Sequence, residues 1–95
     1  MLYSVSYDVG NGSQEQYAAI ESALGGLGPS IRCLGSTWLL VSDETANEIK
    51  QHLCDVVGEN LECLITQVQG VNNSWRLAGS RGVKKWRMEN AIEMG

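Results

Sequence analysis

Two helix-start signals, each flanked by stretches with strand-like composition, constrain what this chain can fold into. Ser13 followed by Gln16, and Thr45 followed by Glu48, match the capping box, in which side chains at a helix entrance satisfy backbone groups that lack partners within the helix. Apolar residues follow each box at helical spacing: Tyr17, Ile20, Leu24 and Leu27 in the first helix, and Ile49, Leu53, Val56 and Val57 in the second. The predicted helices end at breaking residues: Gly25, Gly26, Gly28 and Pro29 after the first, and Gly58 after the second.

The segments around the helices have strand composition. Residues 2–10, LYSVSYDVG, alternate so that Tyr3, Val5, Tyr7 and Val9 share one face, and Ser4, Ser6 and Asp8 share the other. Residues 30–42, SIRCLGSTWLLVS, indicate two short strands joined by a tight turn at Gly35 and Ser36. Residues 60–70, NLECLITQVQG, indicate a fourth strand.

The resulting order, β-α-β-β-α-β, predicts an α+β fold: a ferredoxin-like split βαβ with a four-stranded antiparallel sheet and both helices on one face. At 95 residues the chain is long enough for one domain. We assign residues 1–70 to it and residues 71–95 to a C-terminal extension. In this extension, VKKWRMENAIEM indicates a short helix that covers a sheet edge or a partner subunit. An apolar sheet face without helices favours a homodimer.

Composition narrows the class of protein. With 43% hydrophobic and 19% charged residues, the chain has the balance of a globular protein and not of a disordered one. No stretch approaches the roughly 20 apolar residues of a membrane span, and no signal-peptide pattern precedes the first strand. We therefore expect a cytoplasmic protein with no membrane partner.

Charge is unevenly distributed along the chain. Up to Trp75 there are two basic and nine acidic residues, a net charge of −7, and from Arg76 onward there are five basic and two acidic residues, a net charge of +3; the total is the −4 of the whole chain. Dedicated nucleic-acid binders are usually basic overall. A polyanion contact would therefore use the basic C-terminal tail or a bound metal. The candidate cations are Arg32, Arg76, Arg81, Lys84, Lys85 and Arg87.

Cysteine and histidine usage excludes several kinds of site. The three cysteines form no C-x-x-C motif, which favours free thiols at Cys33, Cys54 and Cys63. His52 is the single histidine, which argues against a zinc site or a Ser-His-Asp triad. Asp8, the charge near the end of the first strand, is the remaining candidate. It could cap the amides of the Gly10–Gly12 turn, bind a metal or act in catalysis.

Several short segments carry a resemblance to a known family. YSVSYDV, STWLLVS, TANEI and LECLITQVQG, with a tryptophan soon after, resemble the SinR-like small proteins over residues 2–77. These are distant relatives of the CRISPR-associated Cas-two proteins and of the virulence-associated protein D toxins. The resemblance implies a ferredoxin-like homodimer in which Asp8 lies close to its symmetry mate. In some relatives this pair is proposed to hold a divalent metal for phosphodiester cleavage, and others act as nucleic-acid-binding scaffolds.

Three functions follow as hypotheses. The first is a nuclease that uses Mg²⁺ or Mn²⁺ held by paired Asp8 carboxylates, since Mg²⁺ accepts one or two carboxylates and keeps its waters. The second is a non-enzymatic homodimer, a scaffold or binding module that binds RNA, DNA or a protein. The third is a phage- or plasmid-type regulator that binds a protein partner through acidic residues such as Glu15, Glu21 and Asp55. Because DVGNGSQEQ places no cation after Asp8 before Arg32, the sequence favours the second hypothesis and leaves enzymatic activity open.

Overall fold

Six elements follow one another in the predicted order. The computed structural model of the protein describes residues 1–10, 12–68, 82, 85–86 and 89–90. The elements are β1 (Leu2–Val9), α1 (Gln14–Leu27), β2 (Ser30–Leu34), β3 (Thr37–Val41), α2 (Ala46–Val57) and β4 (Leu61–Val68). The strands form one antiparallel sheet in the order β2-β3-β1-β4. The predicted ferredoxin-like α+β fold is therefore confirmed.

The main core lies between both helices and one face of the sheet. Alternation along β1 turns four side chains toward the helices, where they meet one residue of β3 and two residues of each helix. These buried residues are Tyr3, Val5, Tyr7, Val9, Leu40, Ile20, Leu24, Ile49 and Leu53. The opposite side of the sheet, here called the outer face, faces away from both helices.

Both helices begin at the predicted capping boxes. The Ser13 hydroxyl accepts a hydrogen bond from the Gln16 amide, and the Gln16 side chain accepts one from the Ser13 amide. In the second box, the Thr45 hydroxyl and the Glu48 carboxylate make the equivalent pair of bonds, each 3.1 Å long. Bonds from the Thr45 backbone and side chain hold the pKa of the Glu48 carboxyl below its usual value.

We expect Thr45→Ala to lower the free energy of unfolding by about 1 kcal/mol, because the Glu48 amide loses its capping oxygen. Urea unfolding followed by circular dichroism measures the change. Thr66→Ala, on the exposed side of β4, is the matched control and should change stability by less than about 0.5 kcal/mol. Equal losses in the two variants would show that the cap has no special role.

The end of α1 agrees with the predicted stop at Gly28, and the helix includes Leu27 as its apolar spacing predicted. Gly25 and Gly26 do not end the helix, which continues to Leu27 and stops at Gly28. Each glycine in a helix costs roughly 1 kcal/mol relative to alanine. Leu24 is fully buried and Leu27 packs against the main core, so burial of these two side chains offsets that cost.

A second apolar cluster lies on the outer face. Leu2, Cys33 and Leu39 are buried there, and partly buried side chains surround them. One of these is Trp86, from the predicted C-terminal extension. Within that predicted helix, Lys85, Trp86 and Glu89 are helical and Asn90 lies in a turn; its other residues lie outside the described ones. Among the described residues no helix is long and apolar enough to cross a membrane.

Candidate functional site at the end of the first strand

Asp8 lies where β1 extends beyond its neighbour β3. The last residue pair between β1 and β3 is Ser6 with Thr37, whereas pairing between β1 and β4 continues to Val9 with Leu61. The Asp8 side chain is exposed. The last residues of β1 therefore pair with β4 and not with β3. On the side of β3, their backbone groups need other hydrogen-bond partners.

The Tyr17 hydroxyl from α1 supplies such a partner. It accepts a hydrogen bond from the Val9 amide over 3.1 Å and donates one to Asp8 Oδ1 over 2.9 Å. The Gly12 amide of the following turn donates to the Val9 carbonyl over 2.8 Å. Asp8 thus joins the end of β1 to α1, and the described part of the turn finds its partner in the backbone and not in the Asp8 carboxylate.

Glu62 lies opposite Asp8 on the adjacent strand. The two residues are cross-strand partners in the register of β1 and β4, which places both side chains on the outer face. Like charges directly opposite one another destabilise a sheet, and a cation between them would offset the repulsion. Two carboxylates are a donor set that suits Mg²⁺ or Mn²⁺. In the described part of the chain, however, no three His, Cys, Asp or Glu side chains come together as a metal site.

A polar and aromatic network continues behind Tyr17. The rings of Tyr17 and Tyr7 are 6.0 Å apart and tilted, and the Trp38 indole donates to the Tyr7 hydroxyl over 2.9 Å. Burial raises the pKa of the Tyr7 hydroxyl above its usual value. The Arg32 guanidinium lies over the Trp38 ring, 5.6 Å from its centroid. These contacts fix Tyr17 and, through it, Asp8.

Arg32 is not positioned beside Asp8 on the outer face. It is the cross-strand partner of Trp38, whose side chain packs against the main core on the helix side of the sheet. The Arg32 guanidinium also forms an ion pair with Glu21 of α1. This candidate nucleic-acid contact is therefore engaged by a carboxylate and an aromatic ring on the helix side of the sheet, opposite to the outer face.

The other candidate cations belong to the C-terminal extension. The Lys85 side chain is 84% exposed and lies 3.8 Å from the Glu89 carboxylate. An exposed pair of this kind contributes little to stability, so Lys85 can exchange Glu89 for another anion. The remaining candidates lie outside the described residues: Arg76, Arg81, Lys84 and Arg87.

The cysteines and the histidine lie on other elements than Asp8: Cys33 on β2, Cys54 and His52 on α2, and Cys63 on β4, where it is the cross-strand partner of Tyr7. Cys33 is buried and Cys54 and Cys63 are partly buried, all three as free thiols, and burial raises the pKa of Cys33 and of Cys63. A raised pKa makes a thiol less reactive. His52 of α2 lies 3.0 Å from the Glu44 carboxylate. These groups show no sign of joining Asp8 in one reaction centre.

No protein-family model matches the chain, and neither does any curated protein. A proposal for its function therefore depends on the geometry described above and on the short motifs of the sequence.

Proposed function

We propose that the protein is a homodimeric, Cas-two-like binding or scaffold module that binds nucleic acid without cleaving it. The observation that carries this proposal is the environment of Asp8. Its carboxylate accepts a hydrogen bond from the Tyr17 hydroxyl, its cross-strand partner is the acidic residue Glu62, and Arg32 lies on the other face of the sheet. Phosphodiester cleavage needs positive charge at the phosphate, and these surroundings supply negative charge.

The outer face supports the homodimer. Ser4, Ser6 and Thr66 are small residues on this face, and Leu64 beside them is 67% exposed. A second copy that met this part of the sheet would cover Leu64, and small side chains allow close approach of the two surfaces. In a chain of 95 residues the additional burial would contribute noticeably to stability.

The basic segment of the C-terminal extension supports the nucleic-acid contact. Described residues 1–68 contain nine acidic residues and two basic ones, so a polyanion would be repelled by most of the domain. Lys85 is exposed, and Trp86 beside it belongs to residues 75–87, where two tryptophans lie among five cations. We expect binding to be weak and strongly dependent on salt.

A second candidate function follows from the pairing of Asp8 with Glu62. Two carboxylates on adjacent strands could hold a divalent metal, with waters and a phosphate as further ligands. In a homodimer the symmetry mate would add two more carboxylates. The alternative is therefore a metal-dependent endonuclease in which Asp8 and Glu62 act together.

Asp8→Asn tests the two functions against each other. Asparagine keeps an oxygen acceptor for Tyr17 and removes one of the two facing charges, so the free energy of unfolding should change by less than about 1 kcal/mol. Labelled RNA and DNA are incubated with the wild type, Asp8→Asn and the matched control Glu62→Gln, with Mg²⁺ or Mn²⁺. We expect all three proteins to bind the oligonucleotide and none to cleave it.

Other outcomes separate the alternatives. Metal-dependent cleavage that is lost by about 100-fold or more in Asp8→Asn, with the dimer intact, would establish the nuclease and refute the proposal. Absence of nucleic-acid binding even at low salt would also refute it. The protein-binding regulator would then be the remaining hypothesis, to be tested by substitution of Glu15 and Asp55, which are exposed on the helices.

A further inference from the structure

Trp86 occupies an apolar patch on the outer face, defined here as Leu2, Cys33 and Leu39 and called the outer patch. Their side chains are 8%, 8% and 4% exposed, and Trp86 packs against them. Three further residues of the sheet border the patch: Ile31, Val41 and Val68. A tryptophan that covers apolar side chains from three strands holds its own segment in place, because lifting it would expose the patch and the indole together.

The backbone around Trp86 forms a short helical segment. The Trp86 amide donates to the Gly82 carbonyl over 3.0 Å, and the Asn90 amide donates to the Trp86 carbonyl over 3.1 Å. The Asn90 side chain also donates to the Trp86 carbonyl, over 2.9 Å. A Cβ on Gly82 would lie 3.9 Å from the Ile31 side chain, so the segment begins next to β2. The indole and its local backbone are thus held together.

Lys85 is directed away from the outer patch. Successive residues of a helix point about 100° apart, so when Trp86 faces the sheet its neighbour projects toward solvent. The exposure of the Lys85 side chain, 84%, agrees with this arrangement. A cation held on an ordered turn loses less conformational freedom on binding a phosphate than one on a free chain.

We propose that Trp86 is the anchor that positions Lys85, so that Lys85 binds a polyanion mainly while Trp86 covers the outer patch. This inference rests on the proposed nucleic-acid function and adds the element that organises the contact. Coupling between two sites is reciprocal. A bound oligonucleotide must therefore strengthen the seating of Trp86 on the sheet, as much as the seated Trp86 strengthens binding.

The reactivity of Cys33 reports whether Trp86 is seated, because Cys33 lies in the outer patch that Trp86 covers. In the full-length chain with Cys54→Ser and Cys63→Ser, the rate of reaction of Cys33 with a thiol reagent reports how often the patch opens. We expect Trp86→Ala to raise that rate about tenfold or more, and Lys85→Ala to leave it unchanged. A saturating single-stranded oligonucleotide should slow the reaction in the parent and have no effect in Trp86→Ala.

The affinity for a fluorescent oligonucleotide, measured at several salt concentrations, tests whether the seated Trp86 positions Lys85 for phosphate binding. Lys85→Ala and Trp86→Ala should each lower the slope of log affinity against log salt by about 1, which corresponds to one lost phosphate contact. Lys50→Ala removes an exposed cation from α2 and is the matched control, with no change in slope expected. Circular dichroism shows whether each variant is folded. If Trp86→Ala is not folded, Trp86→Leu replaces it in both experiments.

The outcomes separate this inference from the proposed function. An unchanged rate of Cys33 labelling in the Trp86 variant would overturn the anchor. Faster labelling of Cys33 in the Trp86 variant, with an unchanged affinity for the oligonucleotide, would overturn the claim that Trp86 positions Lys85. If the parent binds no oligonucleotide, both the proposed function and the positioning of Lys85 fail, whereas the labelling rates still decide whether Trp86 is anchored.

Discussion

Leu40→Ala is expected to lower the free energy of unfolding by about 3 kcal/mol, because it leaves a cavity at a fully buried position in the main core. β3 lies between β1 and β2, and its residue 40 is the cross-strand partner of Tyr3. A domain of this size has a total stability of about 5–14 kcal/mol, so the loss is a large fraction of it. Urea unfolding followed by circular dichroism, with the slope checked for constancy, gives the value.

Leu64→Ala deletes the same atoms from an exposed site and is the matched control. Leu64 is 67% exposed on the outer face of β4, so its loss should change stability by less than about 0.5 kcal/mol in dilute solution. If a second copy covers this face, the wild-type unfolding midpoint should rise with protein concentration, and the dependence should weaken in Leu64→Ala. Equal losses for Leu40 and Leu64 at low concentration would contradict the burial described here.

The features of the fold that depend on local sequence were predictable. The alternation of β1 assigned Tyr3, Val5, Tyr7 and Val9 to one face, and the structure buries all four. The two capping boxes set the starts of both helices, since the donors and acceptors involved lie three residues apart. The end of α1 was less predictable, because the packing of Leu24 and Leu27 decides whether the helix continues through two glycines.

The candidate site was predictable only in part, because it depends on how separate elements meet. The sequence identifies Asp8 as a candidate, but it indicates Tyr17 only as one of the apolar positions of the first helix. Its hydroxyl reaches Asp8 because β3 stops before the end of β1, and neither segment reveals this alone. Glu62 was missed for a similar reason. The register of β1 against β4 is the signal that would place Glu62 opposite Asp8. Counting along the two strands from a pair such as Val5 with Ile65 gives this position.

The electrostatic partners of cations were the least predictable feature. Arg32 was considered as a phosphate contact, whereas the structure pairs it with Glu21, eleven residues earlier on a different element. The alternation of β2 alone cannot reveal that partner. Trp86 shows a similar limit. The sequence predicted that the extension covers a sheet edge or a partner, and the structure seats its tryptophan on the outer face.

Gly28→Ala is expected to destabilise the protein by about 3 kcal/mol or more, through backbone strain and a steric clash. Gly28 has a φ of 156°, which side chains with a Cβ rarely adopt, and an added Cβ would overlap the carbonyl oxygen of Val41. The backbone cannot easily shift away, because the Val41 amide donates to the carbonyl of the next residue, Pro29, over 2.8 Å. Denaturant unfolding measures the loss.

Gly25→Ala makes the same substitution three residues earlier and should have the opposite sign. Gly25 lies within α1, and a Cβ built on it would meet no atom within 4 Å. Alanine restricts the unfolded chain more than glycine does and favours the helix, so stability should rise by about 0.5 kcal/mol. A loss at Gly28 beside a gain at Gly25 would locate the helix end between them. Losses of similar size at both positions would instead mean that the helix ends before Gly25.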